Sequence, residues 1–218
     1  MNSFLRKSAD YLPFLLHGLG LTVLVTVLAL VLASGMGLVW ALLRTSGIRV
    51  FEVSTRLLIE FVRGIPLLVI LLYVYFAAPD LGIDLSALQA GILGLAIAHS
   101  CYLAETFRAG IQAVDRGQFE AAQSIGMRRP LMMRRVILPQ AFRITLAPYA
   151  SNIVLLLKDS SLVSTISVAD LTMHGKMLAS STFDSMTVFT LVALLYLSLT
   201  IPLNFLMHRV EASFSEGR

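Results

Sequence analysis

Long apolar stretches alternate with short polar ones along the 218 residues of this chain. Five of them are long enough for a membrane-crossing helix, at residues 15–43, 53–78, 86–107, 136–157 and 186–207. At ~1.5 Å of rise per residue, about twenty apolar residues cross a hydrocarbon core of roughly 30 Å. The pattern predicts an all-α integral membrane protein, a single transmembrane domain of five helices over residues 1–218. A short amphipathic lead at 1–13 and an outer loop at 172–185 are expected around them.

Composition favours a membrane protein over a soluble one. Hydrophobic residues make up 57% of the chain and charged residues only 14%, whereas soluble domains carry about 25% charged residues. The mean hydropathy of +0.81 agrees. Val31-Leu32-Ala33 is similar to a signal-peptide cleavage site, but the apolar run continues well beyond it. A retained helix is therefore preferred over a cleaved signal peptide.

The net charge of +4 reflects topology rather than nucleic-acid binding, because the basic residues flank the apolar spans without interleaved exposed aromatics. Basic residues favour the cytoplasmic side of a membrane protein. An outer N-terminus leaves four basic residues outside: Arg6, Lys7, Lys158 and Lys176. It places eleven inside: Arg44, Arg49, Arg56, Arg108, Arg116, Arg128, Arg129, Arg134, Arg135, Arg209 and Arg218. The chain is predicted to be N-out and C-in.

Neither cysteine nor histidine points to a metal site. Cys101 is the only cysteine and lies in an apolar run, which indicates a packing role and excludes a disulfide within the chain. His99 is more typical of a satisfied helix-bundle residue, since no second histidine or cysteine lies at metal-ligand spacing. We predict no metal ligand in this sequence.

The second span carries two charged residues, Glu60 and Arg63, that lie three apart and can pair on one helical face. A charge at membrane depth costs roughly 2.5–3.5 kcal/mol, so Arg63 is not expected to face lipid unpaired. Gly64 and Pro66 predict a bend where freed carbonyls face protein or a water-filled path. Two interpretations stay open, a substrate pathway and a cytoplasmic interface where Arg63 snorkels.

Charged pairs recur near the ends of two later spans. Glu105 and Arg108 lie three apart, either as a helix-end salt bridge or as part of a substrate contact. Lys158 and Asp159 end the fourth span, either as an interfacial pair or as part of a gate near the outer side.

The fourth span also contains residues that disturb a regular apolar helix. Pro139 and Pro148 are expected to distort it, and Arg143 and Asn152 are polar positions within it. Prolines in membrane helices are tolerated where neighbours or water satisfy the freed backbone. These features are typical of a helix that lines a pathway.

The cytoplasmic loop 108–135 is predicted to contain a short helix. Asp115 and Gln118 have the spacing of a capping box, and Pro130 is expected to end the helix. Small residues would let a partner approach the backbone, at Ala121, Ala122, Ser124 and Gly126, while apolar anchors lie at Phe119, Ile125 and Met127. A short helix of this kind suits a partner's groove. The alternative is an ordinary loop helix on the membrane surface.

The stretch from Glu120 to Pro139, EAAQSIGMRRPLMMRRVILP, resembles the EAA loop of bacterial ABC-transporter importer permeases. The glutamate, two alanines, glycine and Leu-Pro match the motif, although Val136 stands where the family has isoleucine. Three further segments are similar to polar amino-acid permeases: RGIPL at 63–67, the run 102–112, and KDSSL at 158–162. Nearly the whole chain resembles the type I importer permeases of the histidine, glutamine and glutamate kind.

This resemblance implies a set of partners in the bacterial inner membrane. They are a cytoplasmic ABC ATPase dimer that binds ATP and Mg, a second identical or paralogous permease, and an extracytoplasmic amino-acid-binding protein. The residues implied in ATPase coupling are Glu120, Ala121, Ala122, Ser124, Gly126 and Met127. The residues assigned to the substrate pathway are Glu60, Arg63, Glu105, Arg143, Asn152, Lys158 and Asp159. Arg63 and Glu105 would supply the two charge signs that a zwitterionic substrate needs.

Other function classes fit the sequence less well. Gly175-Lys176 is followed by methionine, so no phosphate-binding loop is present, and no nucleophile elbow or metalloprotease helix occurs. We therefore expect no enzyme activity or cofactor in this chain. An ion-gradient-driven carrier would leave the EAA spacing unexplained and shows no repeat. A scaffold would gain nothing from the intramembrane charges. An importer for another small solute remains an alternative.

Overall fold

The computed structural model describes residues 2–215 of the chain. Within that range the protein is helical with no strand, which confirms the predicted all-α class. The helices are α1 (Asn2–Arg44), α2 (Arg49–Arg63), α3 (Leu67–Ala77), α4 (Ala87–Gln112), α5 (Arg116–Ser124), α6 (Arg129–Met132), α7 (Leu138–Asp159), α8 (Leu171–Thr182) and α9 (Ser185–Ser215). Two 3₁₀ turns lie at Pro79–Leu81 and Ser160–Ile166, and a π-helical turn lies at Met133–Ile137. Arg218 lies outside the described residues.

The contact between α1 and α4 is the most extensive in the described fold. Small residues allow it: a Cβ on Gly37 of α1 would lie 2.9 Å from the Ser100 carbonyl oxygen of α4. In a bilayer, close packing of small residues holds helices together because lipid tails compete for any apolar surface. Around this pair, buried side chains of α3, α7 and the 3₁₀ turn at 160–166 complete one core cluster, with Val25, Leu71, Leu95, Leu156 and Val163 among its members.

The first helix is longer than the first predicted span. The sequence separates an amphipathic lead at 1–13 from a span at 15–43, but α1 runs unbroken from Asn2 with Pro13 inside it. Its early turns pack against the start of α9, where Lys7 Nζ lies 2.7 Å from an Asp184 carboxylate oxygen. The lead is therefore part of the helical body.

The second predicted span is two helices rather than one. α2 and α3 meet at an angle of 99° across the break at 64–66, the position predicted for a bend. Pro66 is the N-cap residue of α3, and its carbonyl accepts a hydrogen bond from the Val69 N–H at 2.9 Å. α3 has 11 residues, about 16 Å of helix, so it cannot cross a 30 Å core alone.

The fourth span extends further than predicted, and the expected outer loop at 172–185 is wrong. The helical run 129–166 bends by 52° into α8. α8 has buried residues at Leu171, His174, Gly175 and Ala179 because it packs between α1 and α9. In the described chain, α1, α4 and α9 contain stretches long and apolar enough to cross a membrane. The two bent pairs bring the number to five if each crosses once.

Two glycines of α1 provide a test of this packing. A Cβ on Gly18 would lie 2.8 Å from the Asp170 carbonyl oxygen, whereas a Cβ on Gly20 would meet nothing within 4 Å. Gly18→Ala should lower the free energy of unfolding by ~1–3 kcal/mol through overpacking. Gly20→Ala should be neutral or stabilising by up to about 1 kcal/mol, since alanine favours a helix. Thermal unfolding in detergent measures both, and equal melting temperatures for the two variants would contradict the packing described for α1 and α8.

Candidate coupling segment and intramembrane polar cluster

The helix α5 is held at its start by Asp115. An Asp115 carboxylate oxygen accepts a hydrogen bond from the Gly117 backbone N–H at 2.7 Å, so Asp115 is the predicted N-cap. The predicted return bond from Gln118 is absent from the described contacts, because the Gln118 side chain accepts from Gln140 Nε2 at 3.3 Å. Gln118 thus connects α5 to α7 rather than closing a capping box.

The end of α5 is set by Gly126, and not by Pro130 as predicted. Gly126 has a φ of +76°, and its N–H donates to the Gln123 carbonyl at 2.9 Å. The Met127 N–H donates to the Ala122 carbonyl at 3.0 Å. This pair of bonds is the Schellman arrangement, which glycine favours because it has no Cβ. Pro130 instead lies in the first turn of α6.

The six candidate coupling residues divide between two faces of the segment. Glu120, Ala121, Ser124 and Gly126 are exposed, and Met127 is half-buried. Ala122 is buried in a cluster with Ile111, Val114, Met132, Ile137 and Ala141, which belong to α4, α6, α7 and their connections. The side chain of Ala122 therefore docks α5 onto its own chain, and the exposed residues form a surface open to a partner.

A second attachment joins this region to the turn between α1 and α2. Arg129 Nη2 donates to the Thr45 carbonyl oxygen at 3.1 Å. Gly47 in the same turn has a φ of +80°, and a Cβ there would collide with the Arg129 guanidinium. The sequence carries no signal for this contact, because 84 residues separate its partners.

The predicted pair of Glu105 and Arg108 exists, but it includes a third residue. Arg108 Nη2 lies 2.8 Å from Glu105 Oε2, while Arg44 at the end of α1 contacts the other carboxylate oxygen. All three side chains are about one-fifth to one-quarter exposed. Glu105 is thus held by two arginines near the coupling segment, which is the helix-end alternative left open by the sequence.

The predicted pair of Glu60 and Arg63 does not form. Glu60 accepts from Arg56 Nε at 2.7 Å, one helical turn earlier. The Arg63 guanidinium instead lies 5.1 Å from the ring centre of Tyr102 on α4, a cation–π geometry. The break after Arg63 ends α2, and the side chain reaches α4 from that point.

A polar cluster continues from Tyr102 into the middle of α4. The rings of Tyr102 and His99 lie 6.0 Å apart, and His99 Nε2 lies 3.1 Å from Asp159 Oδ2 at the end of α7. Because a carboxylate only accepts hydrogen bonds, Nε2 carries the proton in this contact. We call Arg63, Tyr102, His99 and Asp159 the polar cluster. It places a cation and an anion on either side of two aromatic rings.

Burial distinguishes the members of the polar cluster. The His99 side chain is 2% exposed and that of Asp159 is 30% exposed. Within the described chain, His99 Nδ1 is buried without a hydrogen-bond partner. Since α4 is 26 residues long, about 39 Å, His99 lies near its midpoint. A buried, incompletely satisfied group at this depth is typical of a functional position.

The remaining pathway candidates lie outside the polar cluster. Arg143 is exposed on α7, and Lys158 is exposed beside Asp159. Asn152 Nδ2 donates to the Pro148 carbonyl at 2.8 Å and to Thr106 Oγ1 at 3.3 Å, which links α7 to α4. Among the described residues, no group of three or more histidine, cysteine, aspartate or glutamate side chains is placed to hold a metal.

An apolar cleft of about 710 Å³ lies between α1, α4 and α7. It is lined by residues such as Leu38, Phe107, Phe142 and Leu146, and it contains none of the polar cluster. Its few polar groups include Ser34 and Tyr149, whose hydroxyls bond to each other at 2.8 Å. The cleft is therefore a poor site for a charged ligand.

Together, the long apolar helices, the buried polar groups between them and the exposed face of α5 are features of a membrane-embedded transport subunit. Residues 33–216 match the family described as binding-protein-dependent transport system inner membrane component, and the chain belongs to that family. In this family the chain is the membrane component, and ATP hydrolysis is carried out by a separate subunit. Membership implies ATPase and binding-protein partners in general.

Individual relatives cover most of the chain. It is 38% identical over 191 residues to the probable amino-acid ABC transporter permease protein YckA of Bacillus subtilis, covering 88% of this chain and 84% of the relative. It is 37% identical over 209 residues to the probable glutamine ABC transporter permease protein GlnM of the same organism, covering 94% and 97%. A crystal structure of an amino acid ABC transporter with histidines superposes with a TM-score of 0.88 at 38% identity, covering 95% and 97%.

The left-handed backbone at Gly126 leads to a prediction for the candidate coupling segment. Gly126→Val should strain the end of α5 by ~1–2 kcal/mol, because a side chain disfavours this conformation. Gly126→Asn should be tolerated, since asparagine adopts it more readily. A Cβ at this position has open space, so the conformation and not crowding separates the two variants. Co-purification with the ATPase subunit, at matched expression, should fall for valine and persist for asparagine; equal retention would contradict the assignment.

Proposed function

We propose that this chain is the permease subunit of an ATP-driven importer of polar amino acids in a bacterial inner membrane. Two permease subunits would form the pathway, with an ATPase dimer that binds ATP and Mg on the cytoplasmic side and an amino-acid-binding protein outside. The observation that carries the proposal is the exposed face of α5, which is fixed to the chain through Ala122 and presents Glu120, Ala121 and Ser124 to a partner. Relatives named as amino-acid permeases support the substrate class.

The proposed topology has five crossings, with the N-terminus outside and the C-terminus in the cytoplasm. α1, the pair α2–α3, α4, the run from α6 through α8, and α9 would each contribute one crossing. The Arg129–Thr45 contact supports this arrangement, because it requires the α1–α2 turn to lie on the same side as α5. The excess of arginine on that side identifies it as the cytoplasm.

The polar cluster is our proposed contact for the backbone of the substrate. An amino acid carries a carboxylate and an ammonium group, which require a cation and an anion in a low-dielectric site. Arg63 would bind the carboxylate, and Asp159 would bind the ammonium group, with Tyr102 and His99 between them. Asp159 replaces Glu105 as the anion of the proposed substrate site, because Glu105 is already neutralised by Arg44 and Arg108.

In the proposed mechanism the chain alternates between two accessible states. ATP-driven closure of the ATPase dimer would displace α5, and the helices packed against it would follow. Ile111 of α4 and Ala141 of α7 lie in the same buried cluster as Ala122. Because α4 carries His99 and Tyr102 while α7 ends at Asp159, the displacement would change the spacing of the polar cluster. Substrate contacts made in one state would then be lost in the other.

Charge reversal on α5 tests the coupling role. The Glu120 side chain is 66% exposed, and within the described chain it forms an ion pair with Arg116 at 3.2 Å. Glu120→Arg should abolish amino-acid-stimulated ATP hydrolysis in liposomes that contain the ATPase and the binding protein, since like charges at an interface cost several kcal/mol. Asp80→Arg, an exposed reversal in the 3₁₀ turn before α4, is the matched control and should retain stimulation.

The contradicting outcome of that experiment is specific. If Glu120→Arg and Asp80→Arg retain equal stimulation, α5 does not couple the chain to the ATPase. If uptake requires no ATPase and follows a proton or sodium gradient, the importer proposal fails and a gradient-driven carrier replaces it.

Charge removal in the polar cluster tests the substrate contact separately. Arg63→Gln and Asp159→Asn should each raise the substrate concentration for half-maximal uptake about tenfold or more, because a hydrogen bond to a charged group contributes ~1.5–3 kcal/mol. Glu60→Gln is the matched control, since Glu60 is exposed and paired with Arg56. Uptake is measured with saturating binding protein. An unchanged half-maximal concentration in both cluster variants would remove the site while leaving the coupling role intact.

A further inference from the structure

The helix α2 has a distribution of side chains unlike that of the other long helices. At about 100° per residue, one narrow arc is buried against the protein and contains Thr55 and Ile59. All five charged residues lie on one side of that arc: Arg49, Glu52, Arg56, Glu60 and Arg63. Exposed apolar residues occupy the rest of the surface, from the edge of the charged sector to the far side of the buried arc: Val50, Val53, Leu57, Leu58 and Phe61. α2 therefore has three faces: one packs against the protein, one is charged, and one is apolar and exposed.

The apolar face of α2 has no partner within the described chain. Val50, Leu57 and Phe61 are 73%, 60% and 69% exposed. The one polar residue on this face, Ser54, donates its hydroxyl proton to the Val50 carbonyl at 2.7 Å, so it presents no unsatisfied group. Such a face would be costly in water, and a charged face would be costly in hydrocarbon.

The direction of α2 separates these two faces in space. Ile59 lies in one buried cluster with Cys101 and Ala104 of α4, and Trp40 of α1 packs against this cluster. Across the break at 64–66, α2 makes an angle of 99° with α3, so the two helices are nearly perpendicular.

The neighbouring helix α3 packs along α4. Its side chain Leu71 packs at Gly94 of α4, and its exposed apolar residues include Val69, Tyr73 and Phe76. α3 thus lies along α4, one of the helices long enough to cross a membrane. If α3 follows the bilayer normal, α2 lies close to the bilayer plane, since the two helices make an angle of 99°.

From these observations we propose that α2 is an interfacial helix, which lies in the membrane surface on the side of α5 and binds the phospholipid headgroup and acyl boundary. The charged face would meet headgroups and water, and the apolar face would enter the acyl region. Amphipathic helices bind at this boundary with the apolar face about 5–10 Å deep. The Arg129–Thr45 contact fixes the start of α2 on the side of the coupling segment. The membrane-embedded part of the bent pair would then begin at the break after Arg63, and the residues that follow α3 would have to complete the crossing, since α3 alone is too short.

A second copy of the chain is the main rival occupant of this face. It would bury the apolar residues but would give no reason for the charged residues to lie on one side of the buried arc. A bilayer surface supplies both environments at once, which is why the phospholipid boundary is the occupant we propose.

Depth measurement with nitroxide labels tests the proposal in the assembled transporter in liposomes. Labels are placed by Leu57→Cys on the apolar face, Arg56→Cys on the charged face and Leu28→Cys, an exposed position within the long apolar stretch of α1. The unmutated chain, whose Cys101 is buried, is the blank. The Leu57 label should show oxygen accessibility several-fold above its accessibility to a water-soluble nickel chelate, at a depth of about 5–10 Å. The ratio should be reversed at Arg56, and Leu28 should be deeper.

Three results would overturn the proposal. A Leu57 label as deep as Leu28 would show that α2 crosses the bilayer. A Leu57 label reached by neither reagent would show that a second protein covers the face. Equal access of the nickel chelate to Leu57 and Arg56 would place the whole helix in water. None of these readouts depends on transport, so the result is independent of the proposed function.

Discussion

Helix breaks within a membrane require that every freed backbone group find a partner, because hydrocarbon offers none. The break between the 3₁₀ turn at 160–166 and α8 shows how this chain meets the requirement. Asp170 caps α8 by accepting from the Met173 N–H at 2.8 Å, and Thr22 of α1 accepts from the Leu171 N–H at 3.0 Å. Ser167 takes up a left-handed conformation with a φ of 66°. The break is stable only while α1 remains packed against it.

α1 fits closely against α8 at this break. Gly18 leaves room for the Asp170 carbonyl and for His174, and Thr22 supplies the hydroxyl one turn later. Tyr196 of α9 approaches from the other side, with its hydroxyl 2.9 Å from that of Thr172. Three helices therefore converge on one interrupted backbone. The interruption turns the chain into α8, which fills space between α1 and α9 that a loop would leave to lipid or water.

Sequence reasoning succeeded where one residue type has one physical consequence. Apolar runs located the long apolar helices, Asp115 located the start of α5, and Gly64-Ile65-Pro66 located a break. The sequence resemblance to importer permeases agrees with the family match over 33–216. The five crossings and their orientation remain predictions, as do the assigned roles of the coupling and pathway residues.

Sequence reasoning failed where several partners were sterically possible. Glu60 has arginines both four residues before it and three residues after it, and local spacing cannot choose between them. The break at 64–66 determines which arginine pairs with Glu60, because it ends α2 at Arg63, whose guanidinium lies over Tyr102 instead. α8 was mistaken for a loop because its polar residues lower its hydropathy. Lys176 is exposed and donates to Ser164, while the half-buried Thr172 bonds to Tyr196, so both polar side chains find partners on neighbouring elements.

The two attachments of α5 determine how a force on it would spread. The cluster around Ala122 joins α5 to α4 and α7, whereas Arg129 joins the following turn to the α1–α2 connection. The first attachment is apolar and close-packed, so it resists separation in every direction. The second is a single hydrogen bond from a flexible side chain to one carbonyl, so it restrains the distance between the two elements only along the direction of that bond. The ends of α4 and α7 beside α5 would therefore move with it, whereas the start of α2 would follow only through the Arg129–Thr45 contact. His99 and Asp159 lie farther along α4 and α7, outside the cluster around Ala122, so movement of the attached ends would change their spacing.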